Sequence, residues 1–146
     1  MTDIMASIGL AQLKRYNGLI KRRHEIIDRY NKAFSKLPVK LLNHRDKNHK
    51  SSGHLYLVRI DGINEKVRNE IIEEMAKHGI ATNVHYKPLT YLSAYKELGF
   101  NIKDYPNAFN QYKNEISIPL YSKLTDEDVD YIIENFIDVL KEFKLC

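Results

Sequence analysis

Tyr16, Ile20, Arg23, Ile27, Tyr30, Phe34 and Leu37 fall at spacings that alternate between four and three. That spacing is one stripe of an α-helix, and Arg23 is its only polar member. Ile4, Ile8 and Ala11 lead into it, so the sequence predicts one long helix from about Asp3 to Ser35. Gly18 weakens a helix interior and is a place where it can bend. Pro38 ends it.

The remaining segments are shorter. VKLLN after Pro38 reads as a short strand and HRDKNHKSSG, 44–53, as a polar loop. HLYLVRI, 54–60, is rich in β-formers and reads as a buried strand. Asn64 can cap a helix with Val67, Ile71, Met75 and His78 on one face, stopped by Gly79. IATNVHY, 80–86, reads as a third strand. Two short helices are expected near 90–98 and 105–114, and EISIPL reads as a fourth strand. Thr125 caps the last helix, with Asp128 three residues on as a capping box variant. The expected fold is α+β: a small mixed or antiparallel sheet of about four strands, helices mainly on one face, and a long N-terminal helix ahead of it. If strands two and three are parallel, the helix between them is a right-handed crossover. One domain is expected, with 1–37 as a linking helix and 38–146 as an α+β sandwich.

Composition narrows the class. The sequence is 43% hydrophobic and 29% charged, an ordinary globular balance. No apolar run approaches the ~20 residues needed to cross a bilayer, so no membrane partner is expected. The N-terminus lacks the basic-then-apolar pattern of a signal peptide. Cys146 is the single cysteine, which rules out an internal disulfide and a cysteine-based zinc site. A reducing cytoplasm is the expected compartment.

Charge is uneven. Residues 14–50 carry twelve Lys or Arg against Glu25, Asp28 and Asp46, a balance of +9, whereas 124–146 carry two lysines against seven acids, −5. The basic stretch reads either as a solvated helix face or as a surface for an anionic partner such as nucleic acid. No RNA-binding aromatic motif or zinc-finger spacing accompanies it, so nucleic acid is not the expected partner.

The six histidines give no metal site by spacing. His44, His49 and His54 recur every five residues, a period that puts them on one face of neither helix nor strand. His24 is expected at the surface, and His78 at a helix end, where positive charge is favoured. His85 with Tyr86 differs, lying at the expected C-terminal end of a strand, where open α/β sheets tend to bind ligands. The pair suits a phosphate or a sugar hydroxyl; the plainer reading is a tyrosine packed on the core beside a partly exposed histidine. Ser93 to Lys96 matches S-x-x-K, but the companion S-D-N and K-T-G motifs are absent. There is no Walker loop or G-x-G-x-x-G, and no residue is assigned a catalytic role.

Taken together, MTDIMASIGLAQLKRYNGLIKRRHEIIDRYN, SSGHLYLVRID, GIATNVHYKPL, YKELGF with YPNA, and SIPLYSKLTDEDVDYIIE resemble the C-terminal segment of the DegT–DnrJ-type sugar aminotransferases. The resemblance covers essentially all 146 residues. It implies the small domain of the aspartate aminotransferase fold, from a pyridoxal-phosphate (PLP) enzyme that moves an amino group from glutamate or glutamine to a nucleotide-linked keto-sugar. In that family a large N-terminal domain supplies the Schiff-base lysine and holds PLP. The family's Asn-x-Arg motif directly precedes the residue matching Met1. The resemblance therefore implies a fragment lacking the large domain, with no cofactor of its own, inactive alone, from a homodimeric enzyme. It also implies His85 and Tyr86 as substrate contacts, with His54 beside them. The family's H-Y-x-P-L-H ends in Thr90 here, and Gly53 stands where an aromatic is usual. The alternative is an independent α+β regulatory or nucleic-acid-binding module that uses 14–50.

Overall fold

The computed structural model describes residues 1–146. Helix α1 runs unbroken from Asp3 to Phe34, through Gly18. Thr2 caps it, its side chain accepting from the Met5 N–H. The helix has two different halves. In the second, His24, Ile26, Ile27, Tyr30 and Phe34 are buried. In the first, Ile4, Met5, Ile8, Leu10, Leu13 and Tyr16 are each 50–74% exposed. These apolar side chains, spread over more than one face of the helix, are left open to water.

After α1 come β1 (Val39–Leu41), β2 (Tyr56–Ile60), α2 (Glu65–Lys77), α3 (Ser93–Glu97), α4 (Pro106–Tyr112), β3 (Glu115–Ile118) and α5 (Asp126–Glu142). Single 3₁₀ turns at Leu89–Tyr91 and Ile102–Asp104 precede α3 and α4. The strands form one antiparallel sheet in the order β1-β2-β3, with Val39 opposite Ile60 and Tyr56 opposite Ile118. Along β2 the side chains alternate with period two. Tyr56, Val58 and Ile60 are buried, whereas Leu57 and Arg59 line a shallow groove on the other face. The buried set joins Ile27, Tyr30 and Phe34 of α1, Ile71 and Met75 of α2, and Val129, Phe136 and Leu140 of α5 in one core. The main helices thus cover one face of the sheet, as expected for an α+β sandwich.

The sheet has three strands rather than about four. Residues 80–86 run beside β3 but pair with it only at Asn83, opposite Ser117 and antiparallel. The condition for a right-handed parallel crossover therefore does not arise. Beyond Asn83 the backbone donors turn to side chains. The Val84 N–H goes to Asn83 Oδ1 (2.7 Å) and the His85 N–H to Glu115 Oε2 (3.3 Å). A strand needs a continuous ladder, and here it is diverted after one rung.

Two histidines read from sequence as surface or loop residues are buried. His24 is 4% and His44 3% exposed. The 44–53 loop folds back on α1, where Ser51 serves both rings: its carbonyl accepts from His24 Nε2 (2.9 Å) and its hydroxyl meets His44 Nδ1 (2.8 Å). His44 also stacks on Tyr56, the ring planes 6° apart. Burial, followed by the nearby His24, lowers the His44 pKa. Gly53 closes this loop at φ +60°, and a Cβ there would stand 3.2 Å from both Arg23 Cβ and Ile27 Cδ1. Gly53→Ala is expected to cost roughly 1–2 kcal/mol for the left-handed backbone alone, read as a lower denaturant midpoint at unchanged slope.

α5 is capped as its sequence foretells. Thr125 Oγ1 accepts from the Asp128 N–H (3.1 Å), and Asp128 Oδ2 accepts from the Thr125 N–H (2.9 Å). Its acidic first turns meet the basic face of α1. Arg22 and Arg29 both reach Asp126, at 2.8 and 2.6 Å, and Arg29 also pairs with Asp130. The hydrogen bond from Arg22, with the charge of Arg29, holds the Asp126 carboxyl below its ordinary pKa. The opposed charges of the two ends of the sequence thus partly meet along this seam.

Candidate functional site

Gly79 ends α2 at φ +73° and turns the chain so that Ile80 enters the core. The segment then passes along β3 and delivers His85 over two β3 side chains. The His85 ring meets Ser117 Oγ through Nδ1 at 2.7 Å, and Ser117 Oγ donates to Glu115 Oε1 at 2.8 Å. The other carboxylate oxygen accepts the His85 backbone N–H. Glu115 is fully buried and Ser117 is 5% exposed. Burial raises the Glu115 pKa, opposed by the hydrogen bonds from Ser117 and the His85 N–H and by the charge of Arg68.

Tyr86 is 70% exposed, its ring edge-on to His85 with centroids 4.8 Å apart. This reverses the plainer reading of a core tyrosine: the imidazole is anchored and the phenol faces solvent. Lys87 follows with its ammonium 4.8 Å from the Tyr91 ring centroid, and Lys96 approaches the same ring at 4.7 Å. Tyr91 and Tyr112 both donate to Glu65, at 3.5 and 2.7 Å. Beneath them Arg68 is buried, donating to the carbonyls of Tyr112 (2.9 Å) and Glu115 (3.4 Å) and to Asn69 Oδ1 (2.7 Å), 4.7 Å from the Tyr112 ring centroid.

His85 and Tyr86 are therefore together; His54 is not with them. It is exposed and precedes β2, which flanks β3 on the edge opposite Asn83. An apolar cleft of about 550 Å³ lined by Ile80, Pro119, Tyr121, Leu124 and Tyr131 includes none of the three. No group of three or more His, Cys, Asp or Glu is arranged to hold a metal ion. Sequence reasoning missed Glu115, Ser117 and Arg68. The signal for the first two was the E-x-S spacing in EISI, which puts both polar groups on one face of a strand.

The model of the DegT/DnrJ/EryC1/StrS aminotransferase family matches residues 1–137. The chain belongs to this family. Among curated relatives it is 39% identical to the spore coat polysaccharide biosynthesis protein SpsC of Bacillus subtilis, over 97% of this chain and 37% of SpsC. It is 32% identical to the UDP-4-amino-4,6-dideoxy-N-acetyl-beta-L-altrosamine transaminase of Campylobacter jejuni, over 99% of this chain and 38% of that enzyme. Among solved structures it superposes on Spr1654 of Streptococcus pneumoniae, a provisionally assigned sugar aminotransferase, in its PMP-form. There the TM-score is 0.94 and the identity 52%, over 97% of this chain and 36% of that one. The chain spans about 37% of the length of the curated relatives it matches.

Membership in this aminotransferase family raises the question of the cofactor, since Spr1654 is also solved in a PLP-form. A lysine that forms a Schiff base must be a desolvated amine. Of the sixteen lysines here, fifteen are exposed and Lys113 is half-buried. Lys77 and Lys141 have pKa values raised by hydrogen bonds to Glu74 and Asp138, which favours the unreactive ammonium.

Proposed function

We propose that this chain is the small, C-terminal domain of a PLP-dependent aminotransferase acting on a nucleotide-linked keto-sugar, in surface polysaccharide or amino-sugar biosynthesis. The reactive lysine and the cofactor site belong to a large domain outside these residues. This domain closes the cleft and lends substrate contacts through His85 and Tyr86, with His54 outside that pair. The intact enzyme is a cytoplasmic homodimer, and this chain alone does not transaminate. The observation that carries the reading is a family match over 1–137 by a chain little more than a third as long as its relatives.

Two features support it. Every lysine is wholly or partly open to water, whereas a tyrosine and an anchored histidine project together from one short segment. The open apolar half of α1 suits burial against a large domain. Arg22 and Arg29, two of the twelve cations of 14–50, are paired with α5 and so are withdrawn from any nucleic-acid surface there.

The test begins with the coding sequence ahead of Met1. An in-frame large domain with the Schiff-base lysine is expected; a stop codon followed by a ribosome-binding site would sink the reading. In the polypeptide that joins both, His85→Ala is expected to lower kcat/KM for a UDP-linked keto-sugar by ~10- to 100-fold, the worth of one or two hydrogen bonds. The separate chain is expected to self-associate through Ile4, Ile8 and Leu13. Sedimentation should show concentration-dependent oligomers that Ile8→Glu with Leu13→Glu reduces. A strict monomer at high concentration would contradict an uncovered interface.

A further inference from the structure

We propose that Glu115 and Ser117 are positioning residues that hold His85 in one tautomer, with a proton on Nδ1 and a lone pair on the open Nε2. His85 thereby accepts a hydroxyl of the sugar substrate and does not donate to a phosphate. The inference rests on the reading of His85 as a substrate contact and adds to it the sign of that contact.

One chain of hydrogen bonds fixes where each proton lies. The backbone N–H of His85 can only donate, and it donates to Glu115 Oε2. The remaining carboxylate oxygen accepts from Ser117 Oγ. With Glu115 ionised, both its oxygens can only accept, so the single hydroxyl proton of Ser117 is given to the carboxylate. Ser117 Oγ is then an acceptor toward the ring, so the proton of the 2.7 Å contact lies on His85 Nδ1. In a neutral imidazole that leaves Nε2 unprotonated. Nε2 has no protein partner and is not among the buried unpaired side-chain atoms, so it is open to a ligand. Glu115 is wholly buried and Ser117 nearly so, and water is thereby kept from exchanging roles with either of them. A lone pair recognises an O–H; it cannot bind the unprotonated oxygens of a nucleotide diphosphate, which are acceptors themselves.

The same hydrogen bonds predict an inversion. In Glu115→Gln the side-chain carbonyl must face the His85 N–H, because two donors cannot meet. The amide NH₂ then points at Ser117 Oγ. The serine proton is released to swing to His85 Nδ1, and the ring proton moves to Nε2. In Ser117→Ala, Nδ1 has no partner and neither tautomer is fixed.

The experiment is ¹⁵N NMR of the imidazole nitrogens of the full 146-residue chain at a pH where His85 is neutral and Glu115 ionised, without ligand. The wild type is expected to show a protonated, pyrrole-like Nδ1 and a pyridine-like Nε2. Glu115→Gln is expected to exchange the two, and Ser117→Ala to give averaged shifts, each with a cooperative melting transition retained. A pyrrole-like Nε2 in the wild type, or a tautomer unmoved in both variants, would overturn the relay. If Glu115→Gln does not fold, Ser117→Ala decides alone. A second arm titrates the polypeptide that joins this domain to the large one with a UDP-linked hexose and with UDP. Movement of the Nε2 resonance with the sugar nucleotide and not with UDP is expected. Movement with UDP, or with neither, would overturn the assignment of Nε2 to a sugar hydroxyl. The ligand-free arm stands whatever becomes of the enzyme assignment, so failure of the relay and failure of the proposed function are separable.

Discussion

Arg68→Ala is expected to destabilise the fold by roughly 3–5 kcal/mol, the range for removing one partner of a buried charged network. Arg68 is 1% exposed, and its guanidinium ties α2 to the carbonyls that lead into β3. Alanine leaves those carbonyls short of a donor and removes the cation that opposes the burial penalty on Glu115. The loss should also depend on pH. Burial raises the Glu115 pKa above its ordinary value, so the folded state holds that proton more tightly than the unfolded chain does. Stability from this group is then lost as pH rises through the raised pKa. Arg68 limits that loss by favouring the carboxylate. The cost of Arg68→Ala is thus expected to be smaller at pH about 5 than at pH about 8. Denaturant titrations at both values check this; a cost below 1 kcal/mol, or one larger in acid, would contradict the network as described.

Phe34→Ala is expected to cost about 3–5 kcal/mol, a transfer loss plus a cavity that the surroundings only partly fill. Phe34 is 1% exposed and lies among three rings, with centroids at 5.7 Å to Tyr30, 6.3 Å to Tyr56 and 5.2 Å to Phe136. Those rings belong to α1, β2 and α5, so the cavity opens where helix, sheet and last helix meet. Tyr30 and Tyr56 cannot both collapse into it, because Tyr30 Oη donates to Pro119 O (2.9 Å) and Tyr56 Oη to Asn31 Oδ1 (2.7 Å). Phe34→Leu should recover much of the loss. The melting temperature of the two variants reads the difference, and equal melting would show that the aromatic cluster is not tightly packed.

Much of this architecture was legible in the residue order because its information is local. The four-three stripe marked α1 to within a residue of its end, and Thr125 with Asp128 marked the start of α5. Residues 80–86 misled for a physical reason. Isoleucine, threonine and valine favour extended backbone in a strand and outside one alike. What decides is where the N–H groups go, and two of them go to the side chains of Asn83 and Glu115. His24 was misplaced because its cover is Ser51, twenty-seven residues away. In the candidate site, His85 and Tyr86 could be named from their place at the end of an extended run. Their support could not. Arg68 has no local mark of its burial, and Glu115 has only the E-x-S spacing it shares with Ser117; the fold buries both.

The central claim is that these residues form a wall of a reaction site whose reactive amine lies elsewhere. Adding PLP to the purified chain and recording its visible absorption tests this most directly. The account predicts no band that depends on a single residue, since adducts on exposed lysines would be scattered and unaltered by any one substitution. A band that saturates with PLP and vanishes on replacing one lysine would mean that the chain owns the chemistry, and the account would be wrong.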